Sequence, residues 1–575
     1  MASVQRRAGL IFAALFVLLA LAAIRTLYLG TVHSGTLRQD ASEEHETLEA
    51  VPAPRGTITD RDGVVLAVSE PADDISATPY LVKKPLQAAK QLAPLLDQSE
   101  SEVLHELGES STFVYLARSL PAARAKQIQA LGIEGIEETP TMRRVYPRGT
   151  LAAQVLGVPG TEGQGLFGLE YSSNATLEGE EGQRHVVSDE IGQPISITDV
   201  HREVPGKAVS LTLDANIQHR AEAVLGAIGS VFHPKDATAI VANPNTGEVL
   251  AMANWPQLNA NYAAEASPAQ FGKLEEEGLL ENRAVGFNYE PGSTFKAVTF
   301  SGALEEGLIT PETTINVPDE IQVANRVIHD DEPHPEETLT ASEILARSSN
   351  VGTIKIGAML GPYKFNDWVR RYGFGSHTGI DLPGEEIGEV LTPSEYSGSS
   401  MGNLPIGQGE AVTPIQIVTA YSAIANGGIL RPTHVIRSIG GKALPLPAGR
   451  RVVSAKTAAE VRKMMEGVLA PGGTASEVSV PGYQLAGKTG TANKIDPETG
   501  EYSETAYVAS FVGFAPASHP KLLCAVVVDE PETGSIYGGT VAAPAFGQIM
   551  AFALPYLGIA PESGAAAEES GTTPE

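Results

Sequence analysis

Ser293 and Lys296 stand three residues apart in Glu290-Pro-Gly-Ser-Thr-Phe-Lys-Ala-Val-Thr-Phe300, a segment that reads as the start of a helix. At that spacing the two side chains share one face and come within hydrogen-bond reach. Phe295, Val298 and Phe300 supply apolar packing that desolvates the amine. A buried lysine near a second cation loses basicity, so a neutral fraction can take the serine proton and leave a nucleophile. Alone the pair is weak evidence, because Ser-x-x-Lys arises by chance in a chain of 575 residues. Two further segments strengthen it. Ser348-Ser349-Asn350 follows a helix announced by a Thr340-x-x-Glu343 capping box, which places the trio in the turn after that helix. Lys488-Thr489-Gly490-Thr491 ends a strand that begins at Tyr483, and Gly490 lets a substrate backbone approach that strand closely.

The elements that must bring these segments together can be read in outline. From Lys207 on, Asp214 is a natural N-cap for a helix over 215–225. Residues 236–242 and 248–253 flank the turn at Pro244-Asn-Thr-Gly247 and read as a β-hairpin. Strands are expected over 506–514 and 522–529, and a terminal helix over 544–554. Strands from both ends around a helical middle indicate an α+β fold with an antiparallel sheet, the chemistry sitting where the helices meet it. The earlier region, 55–205, mixes short strand and helix patterns. Its 55–67 segment is a hairpin around Asp62-Gly63, and Leu120–Leu131 reads as a helix with Pro121 in its first turn. It offers no nucleophile and base, so it reads as a structural module.

Composition narrows the classes. The chain has 42% hydrophobic residues and a net charge of −29, from 40 Lys+Arg against 69 Asp+Glu. That is too apolar for a disordered protein, and the charge opposes nucleic-acid binding. The single cysteine, Cys524, excludes an internal disulfide and a Cys-based zinc site, and in its apolar run it reads as a core thiol. Arg6 and Arg7 precede an apolar stretch from Ala8 to Ile24, which as a helix reaches roughly 25 Å, the short end of a bilayer span. Extended to Leu29 with Tyr28 at the outer interface, it gives a single-pass anchor with the Arg pair cytoplasmic and the rest of the chain extracytoplasmic. A cleaved signal peptide, with Ala20-Leu21-Ala22 as its cleavage site, is the alternative. His329-Asp-Asp-Glu-Pro-His334 superficially suggests a metal site but fits an exposed loop better, and Trp255 and Trp368 read as packing residues.

Taken together, the three segments resemble the active-site motifs of penicillin-binding proteins and serine β-lactamases. Arg55-Gly-Thr-Ile-Thr-Asp60-Arg61-Asp-Gly63, Arg144-Val-Tyr-Pro147-Arg-Gly149 and Leu156-Gly157 through Gly165, Gly168 and Glu170 resemble the pedestal motifs of the class B members. Asn282-Arg-Ala-Val, Ile406-Gly-Gln-Gly409, Thr413-Pro-Ile-Gln416, Ala515-Pro-Ala-Ser and Tyr537 through Gly547 resemble the division-specific, FtsI-type branch. The resemblance implies a cytoplasmic tail (1–7), a transmembrane anchor (8–29), a juxtamembrane linker (30–54) and an elongated α+β pedestal (55–206). A transpeptidase domain (207–557), with an antiparallel sheet and a helical subdomain, and a disordered acidic tail (558–575) complete it. It further implies a peptidoglycan D,D-transpeptidase at the septum. Ser293 would attack the penultimate D-Ala carbonyl of a stem peptide, with Lys296 as base. Ser348 and Lys488 would relay protons to the leaving amine, and Asn350 would orient Lys296 and the donor. Thr489, Gly490 and Thr491 would bind the substrate, and the N–H groups of Ser293 and Thr491 would form the oxyanion hole. No cofactor or metal is needed. The implied partners are stem peptides, β-lactams and a polytopic, FtsW-type glycosyltransferase with other division proteins. Arg55, Asp60, Arg61, Arg144 and Glu170 are expected to form a structural ion-paired cluster joining pedestal to anchor. An elongation-specific paralogue and a division scaffold with little catalysis stay open. A β-lactamase would lack the anchor and pedestal, and a β-lactam receptor needs a cytoplasmic output domain that seven residues before the apolar run do not supply.

Overall fold

The computed structural model describes residues 2–31, 46–188, 194–496 and 498–562. Most of the polar stretch expected to form a juxtamembrane linker, and the acidic tail from 563 on, lie outside the described residues. Helix α1 (Ala2–Thr31) carries the N-terminal apolar run. Its Arg6–Thr31 part, with a mean hydropathy of 2.5, is the one helix among the described residues long and apolar enough to cross a membrane.

The chain divides into two compact units. The first takes residues 1–54, 70–143 and 179–206. In it, strand Glu46–Val51 pairs antiparallel with Gly182–Ser188, which pairs in turn with Pro194–His201. A separate core gathers Ile75, Leu92, Val103, Leu116 and Ile128. The helix expected over Leu120–Leu131 begins later, at Ala122. Leu120 and Pro121 belong to strand Val114–Pro121, opposite Asp73 and Ala72. A proline disfavours helical backbone in the residue before it, which keeps Leu120 extended and leaves Pro121 as the cap.

The second unit takes residues 55–69, 144–178 and 207 onward, so the segment read as one continuous pedestal contributes to both units. The early hairpin forms as expected, Ile58–Thr59 pairing with the start of Val65–Ala77. Asp60 Oδ1 closes its turn by accepting the N–H groups of Asp62 and Val64, each at 2.8 Å. Helix α2 (Ala215–Phe232) starts at Asp214, whose carboxylate accepts from the N–H groups of Asn216 and Ile217, and it runs past the expected end at Leu225. The main sheet has strands β1 (Asp236–Ala242), β2 (Val249–Trp255), β3 (Ala486–Ile495), β4 (Tyr502–Ala515) and β5 (Leu522–Asp529). Their order is β2-β1-β5-β4-β3, antiparallel throughout, so the two ends of the domain meet where β1 pairs with β5.

Helices α3 (Lys296–Glu305), α4 (Ala341–Arg347), α5 (Asn350–Arg371) and α6 (Pro414–Ala425) form the helical middle, and α7 (Ala543–Tyr556) closes the domain. Every residue of β1 and β5 is buried, because both faces of the sheet are covered. Period-two alternation sorts their side chains. Ile240, Ala242 and Val527 join the core of the helical middle. Ala239, Val241, Val526 and Cys524 pack with Ile217 and Leu225 of α2 and with Phe546 and Ile549 of α7. Burial pushes the Cys524 thiol pKa up, which leaves it an inert core group. Helix α6 is buried along its whole length. Each buried Ile or Val there contributes about 1.5–3 kcal/mol relative to exposure. Trp368 and Trp255 are packing residues, and a Cβ on Gly302 or Gly229 would stand 2.8 or 2.3 Å from their rings. Past α7 the chain stays bound to the domain: Glu562 accepts from Gln484 N–H at 2.9 Å and from the Ser518 hydroxyl at 2.6 Å.

The charges of the pedestal motifs sort into two groups. Arg55 Nη2 and Arg144 Nε reach opposite oxygens of Glu170 at 2.7 and 2.6 Å, and Glu170 is fully buried. The remaining guanidinium donors go to Gly163 O, Asn174 Oδ1 and Gly56 O. Asp60 and Arg61 stand outside this cluster. Asp60 accepts backbone N–H groups, including that of Ala215 at 3.1 Å, and the Arg61 carbonyl accepts from Arg437 Nη1 at 2.6 Å. All five residues and these partners lie in the second unit, so the cluster's contacts brace that unit itself. Removing the one anion between two buried cations leaves both uncompensated, so Glu170→Ala is expected to lower the unfolding free energy by about 3–5 kcal/mol. Denaturant unfolding of the detergent-solubilised chain measures this, and a loss below about 1 kcal/mol would show that the two arginines find other compensation.

Candidate active site

Ser293 lies in a one-turn 3-10 helix, Gly292–Phe295, that runs directly into α3 at Lys296. The turn is held from several sides. Gly292 N–H donates to Gly407 O at 3.0 Å, and Tyr421, buried in α6, donates its hydroxyl to Thr294 O at 2.6 Å. Phe295 packs against Phe374 with ring centroids 5.1 Å apart. Gly407 has φ +82, and a Cβ there would stand 2.1 Å from Gly292 O. The Ile406-Gly-Gln-Gly409 segment thus shapes the turn that carries Ser293. With Gly292 N–H engaged, the Ser293 N–H is left without a partner inside the helix, as the first N–H groups of any helix are.

Lys296 is fully buried and uses its donors on the trio after α4. Its Nζ donates to Ser348 O at 2.6 Å, to Asn350 Oδ1 at 2.7 Å and to Ser348 Oγ at 3.2 Å. The capping box read from the sequence forms, Thr340 and Glu343 bonding reciprocally at the start of α4. Ser348 ends that helix with φ +63, a left-handed conformation that is strained by about 1–3 kcal/mol for a residue with a Cβ. The two bonds from Lys296 hold it there. Among the described residues Ser293 Oγ makes no hydrogen bond, so the direct contact with Lys296 expected from the three-residue spacing is replaced by contacts from Lys296 to the Ser348 trio.

Lys488 is also fully buried, with Nζ 3.3 Å from Thr489 Oγ1. Thr489 Oγ1 in turn shares a hydrogen bond with Thr474 Oγ1 at 2.7 Å, and Thr491 Oγ1 accepts from Gly538 N–H at 3.1 Å. Gly490 makes room for the protein itself: a Cβ there would stand 2.3 Å from Ser510 Oγ and 2.9 Å from Pro291 O. The space that the sequence reading assigned to a substrate thus lets β3 approach the loop carrying Ser293. Burial lowers the Lys296 pKa from 10.5 to about 8, against the opposing charges of Asp331 and Asp330. Burial, reinforced by the charge of Lys296, also pushes the Lys488 pKa well down, again opposed by Asp331. The two amines therefore resist being charged together.

Asp330 and Asp331 are the residues that the sequence reading missed. They belong to the His329–His334 loop, which is exposed as expected at His329, Asp331, Glu332 and Pro333. Asp330 nevertheless accepts from Val351 N–H at 2.9 Å through Oδ1, at the start of α5, and from Ser349 Oγ at 2.7 Å through Oδ2, the oxygen that His334 Nε2 also approaches at 3.0 Å. The available signal was the doubling of acids in a loop next to a Ser-x-Asn turn.

Known proteins resemble this chain along most of its length. The sequence profile described as penicillin binding protein transpeptidase domain matches residues 237–551, and that of the penicillin-binding protein dimerisation domain matches 50–211. The penicillin-binding protein PbpB of Mycobacterium tuberculosis is 35% identical over 93% of this chain and 83% of its own length. The peptidoglycan D,D-transpeptidase FtsI of Escherichia coli is 32% identical over 95% of this chain and 91% of its own. The crystal structure of penicillin binding protein 3 from Mycobacterium tuberculosis, complexed with aztreonam, superposes with a TM-score of 0.69 at 30% identity, covering 90% of this chain and 99% of that one. With a serine turn, a buried lysine and a lysine-bearing edge strand converging in a domain of this profile, the chain belongs to the class B penicillin-binding proteins, the peptidoglycan D,D-transpeptidases.

Proposed function

We propose that the chain cross-links peptidoglycan during septal synthesis through an acyl-enzyme on Ser293. The observation that carries the mechanism is the fully buried Lys296, held by Ser348 and Asn350 three residues after the serine. Ser293 Oγ attacks the penultimate D-Ala carbonyl and gives its proton to neutral Lys296. The developing oxyanion is held by the N–H groups of Ser293 and Thr491, and the terminal D-Ala leaves as its amine takes a proton relayed through Ser348 and Lys488. An amine of a neighbouring strand then attacks the ester, forming the cross-link and freeing Ser293. Catalytic hydrogen bonds commonly tighten only in complex with substrate, which suits the missing Ser293–Lys296 contact. A substrate carboxylate beside Thr489 and Thr491 favours the charged form of Lys488, and that charge in turn favours neutral Lys296.

The division-specific assignment is supported by the segments flanking the motifs, Asn282-Arg-Ala-Val and Tyr537 through Gly547 among them. In this reading α1 anchors the protein once in the cytoplasmic membrane, Arg6 and Arg7 lie inside, and a polytopic FtsW-type glycosyltransferase supplies the glycan. The test has two arms. Membranes labelled with a fluorescent penicillin should yield a single adduct on the peptide containing Ser293, and a tagged chain should concentrate at mid-cell. An adduct elsewhere would remove the mechanism, and side-wall localisation would reassign the chain to elongation.

A further inference from the structure

The amide of Asn350 is held at both ends. Its Nδ2 donates to His329 O at 3.1 Å and to Asp331 Oδ1 at 3.2 Å, while its Oδ1 accepts from Lys296 Nζ at 2.7 Å. An amide carries two donors on nitrogen and acceptors only on oxygen. Rotated by half a turn, it would set its NH2 against the lysine amine and its oxygen against a carbonyl and a carboxylate. The contact of its oxygen with the carbonyl and the carboxylate is repulsive whatever the charge on Lys296, and that of its NH2 with the amine is repulsive when Lys296 is protonated. His329 O alone satisfies one of the two Nδ2 hydrogens, and Asp331 satisfies the other. We infer that Asp331 is a positioning residue for acyl transfer, locking the Asn350 amide in the orientation that lets its oxygen hold Lys296. The inference rests on the assignment of Lys296 as the base for Ser293.

Asp331 reaches the site from outside. It is exposed, in the loop between strands Arg326–His329 and Glu337–Thr340, and it contributes no core packing, so a substitution there leaves the fold intact. Its charge acts as well as its hydrogen bond. Lys296 faces it from α3 and Lys488 from β3, and Asp331 favours the protonated form of each. The other titratable groups around the pair are Asp330, with His334 at 3.0 Å, and His329, whose Nδ1 lies 3.6 Å from Glu320. Orientation and charge are separable by chemistry: Asp331→Asn keeps an acceptor oxygen for Asn350 and loses the charge, whereas Asp331→Ala loses both.

The test is the second-order rate of acylation of the full-length, detergent-solubilised protein by a fluorescent penicillin, followed across pH with Ser293→Ala in parallel. Asp331→Asn is expected to acylate within about threefold of wild type on the high-pH plateau, with the rising limb moved to lower pH because both lysines lose a stabilising anion. Asp331→Ala is expected to fall by about tenfold or more on the plateau, as a mispositioned catalytic group does. Thermal midpoints of both variants should match wild type. Wild-type rates in Asp331→Ala at every pH would overturn the inference, and so would an Asp331→Asn as slow as Asp331→Ala, which would leave charge alone as the cause. Persistent labelling of Ser293→Ala would instead sink the mechanism on which the inference rests, whatever the Asp331 variants do.

Discussion

Ser293→Ala is expected to reduce penicillin acylation and stem-peptide cross-linking by about 10⁴-fold or more, with the thermal midpoint unchanged. The size follows from covalency, since without the hydroxyl no acyl-enzyme forms and the remaining site can only bind. The unchanged midpoint follows from the geometry, because Ser293 Oγ makes no hydrogen bond among the described residues while the turn is held by Gly407, Tyr421 and the phenylalanine cluster. Intact-protein mass after incubation with a β-lactam measures the first quantity and thermal unfolding the second. A stoichiometric adduct on the alanine variant would place the nucleophile elsewhere.

Lys296→Ala should lower acylation by about 10²–10⁴-fold, the range spanned by general acid–base catalysis. It removes the proposed base and also the group that holds Ser348 in its left-handed conformation and Asn350 in register. Its pH signature separates these roles. Burial lowers the Lys296 pKa to about 8, and in the proposed mechanism the neutral amine is the active form. The wild-type rate constant for acylation should therefore climb about tenfold per pH unit below 8 and flatten above it, and the alanine variant should lose that limb. The direction is decisive: an exposed lysine would place the limb near its ordinary 10.5. A limb of unchanged position in Lys296→Ala, or acylation at the wild-type rate, would remove Lys296 as the base. Lys488, also lowered by burial and by the charge of Lys296, would then be the amine to examine.

Much of the scaffold was readable because it is encoded over short distances. The Asp214 cap, the Thr340/Glu343 capping box, the 236–253 hairpin and the strand over 522–529 each depend on residues a few positions apart, and each forms as read. The misreading at Leu120–Leu131 is of the same local kind: apolar residues at helical spacing were taken for one helix, although strand pairing with Asp73 held Leu120 extended. The division of the molecule was harder. The dimerisation-domain profile matches 50–211 as one stretch, and within it 55–69 and 144–178 fall in the same compact unit as the transpeptidase strands, where Glu170 joins Arg55 to Arg144.

The sequence by itself determined the candidate groups, a serine and a lysine three apart, a Ser-x-Asn turn and a Lys-Thr-Gly strand, with enough flanking pattern to name the family. Tertiary structure decided how those groups are tuned. Whether Lys296 loses its proton near pH 8 depends on the burial around it and on Asp330 and Asp331, which approach from a loop that looked merely exposed. Whether Gly490 serves a substrate or the nucleophile's own loop depends on where Pro291 lies against β3. Capping and periodicity act between neighbours along the chain. Desolvation, charge coupling and close packing act between groups that are neighbours only in space, and a linear pattern carries no distance between them.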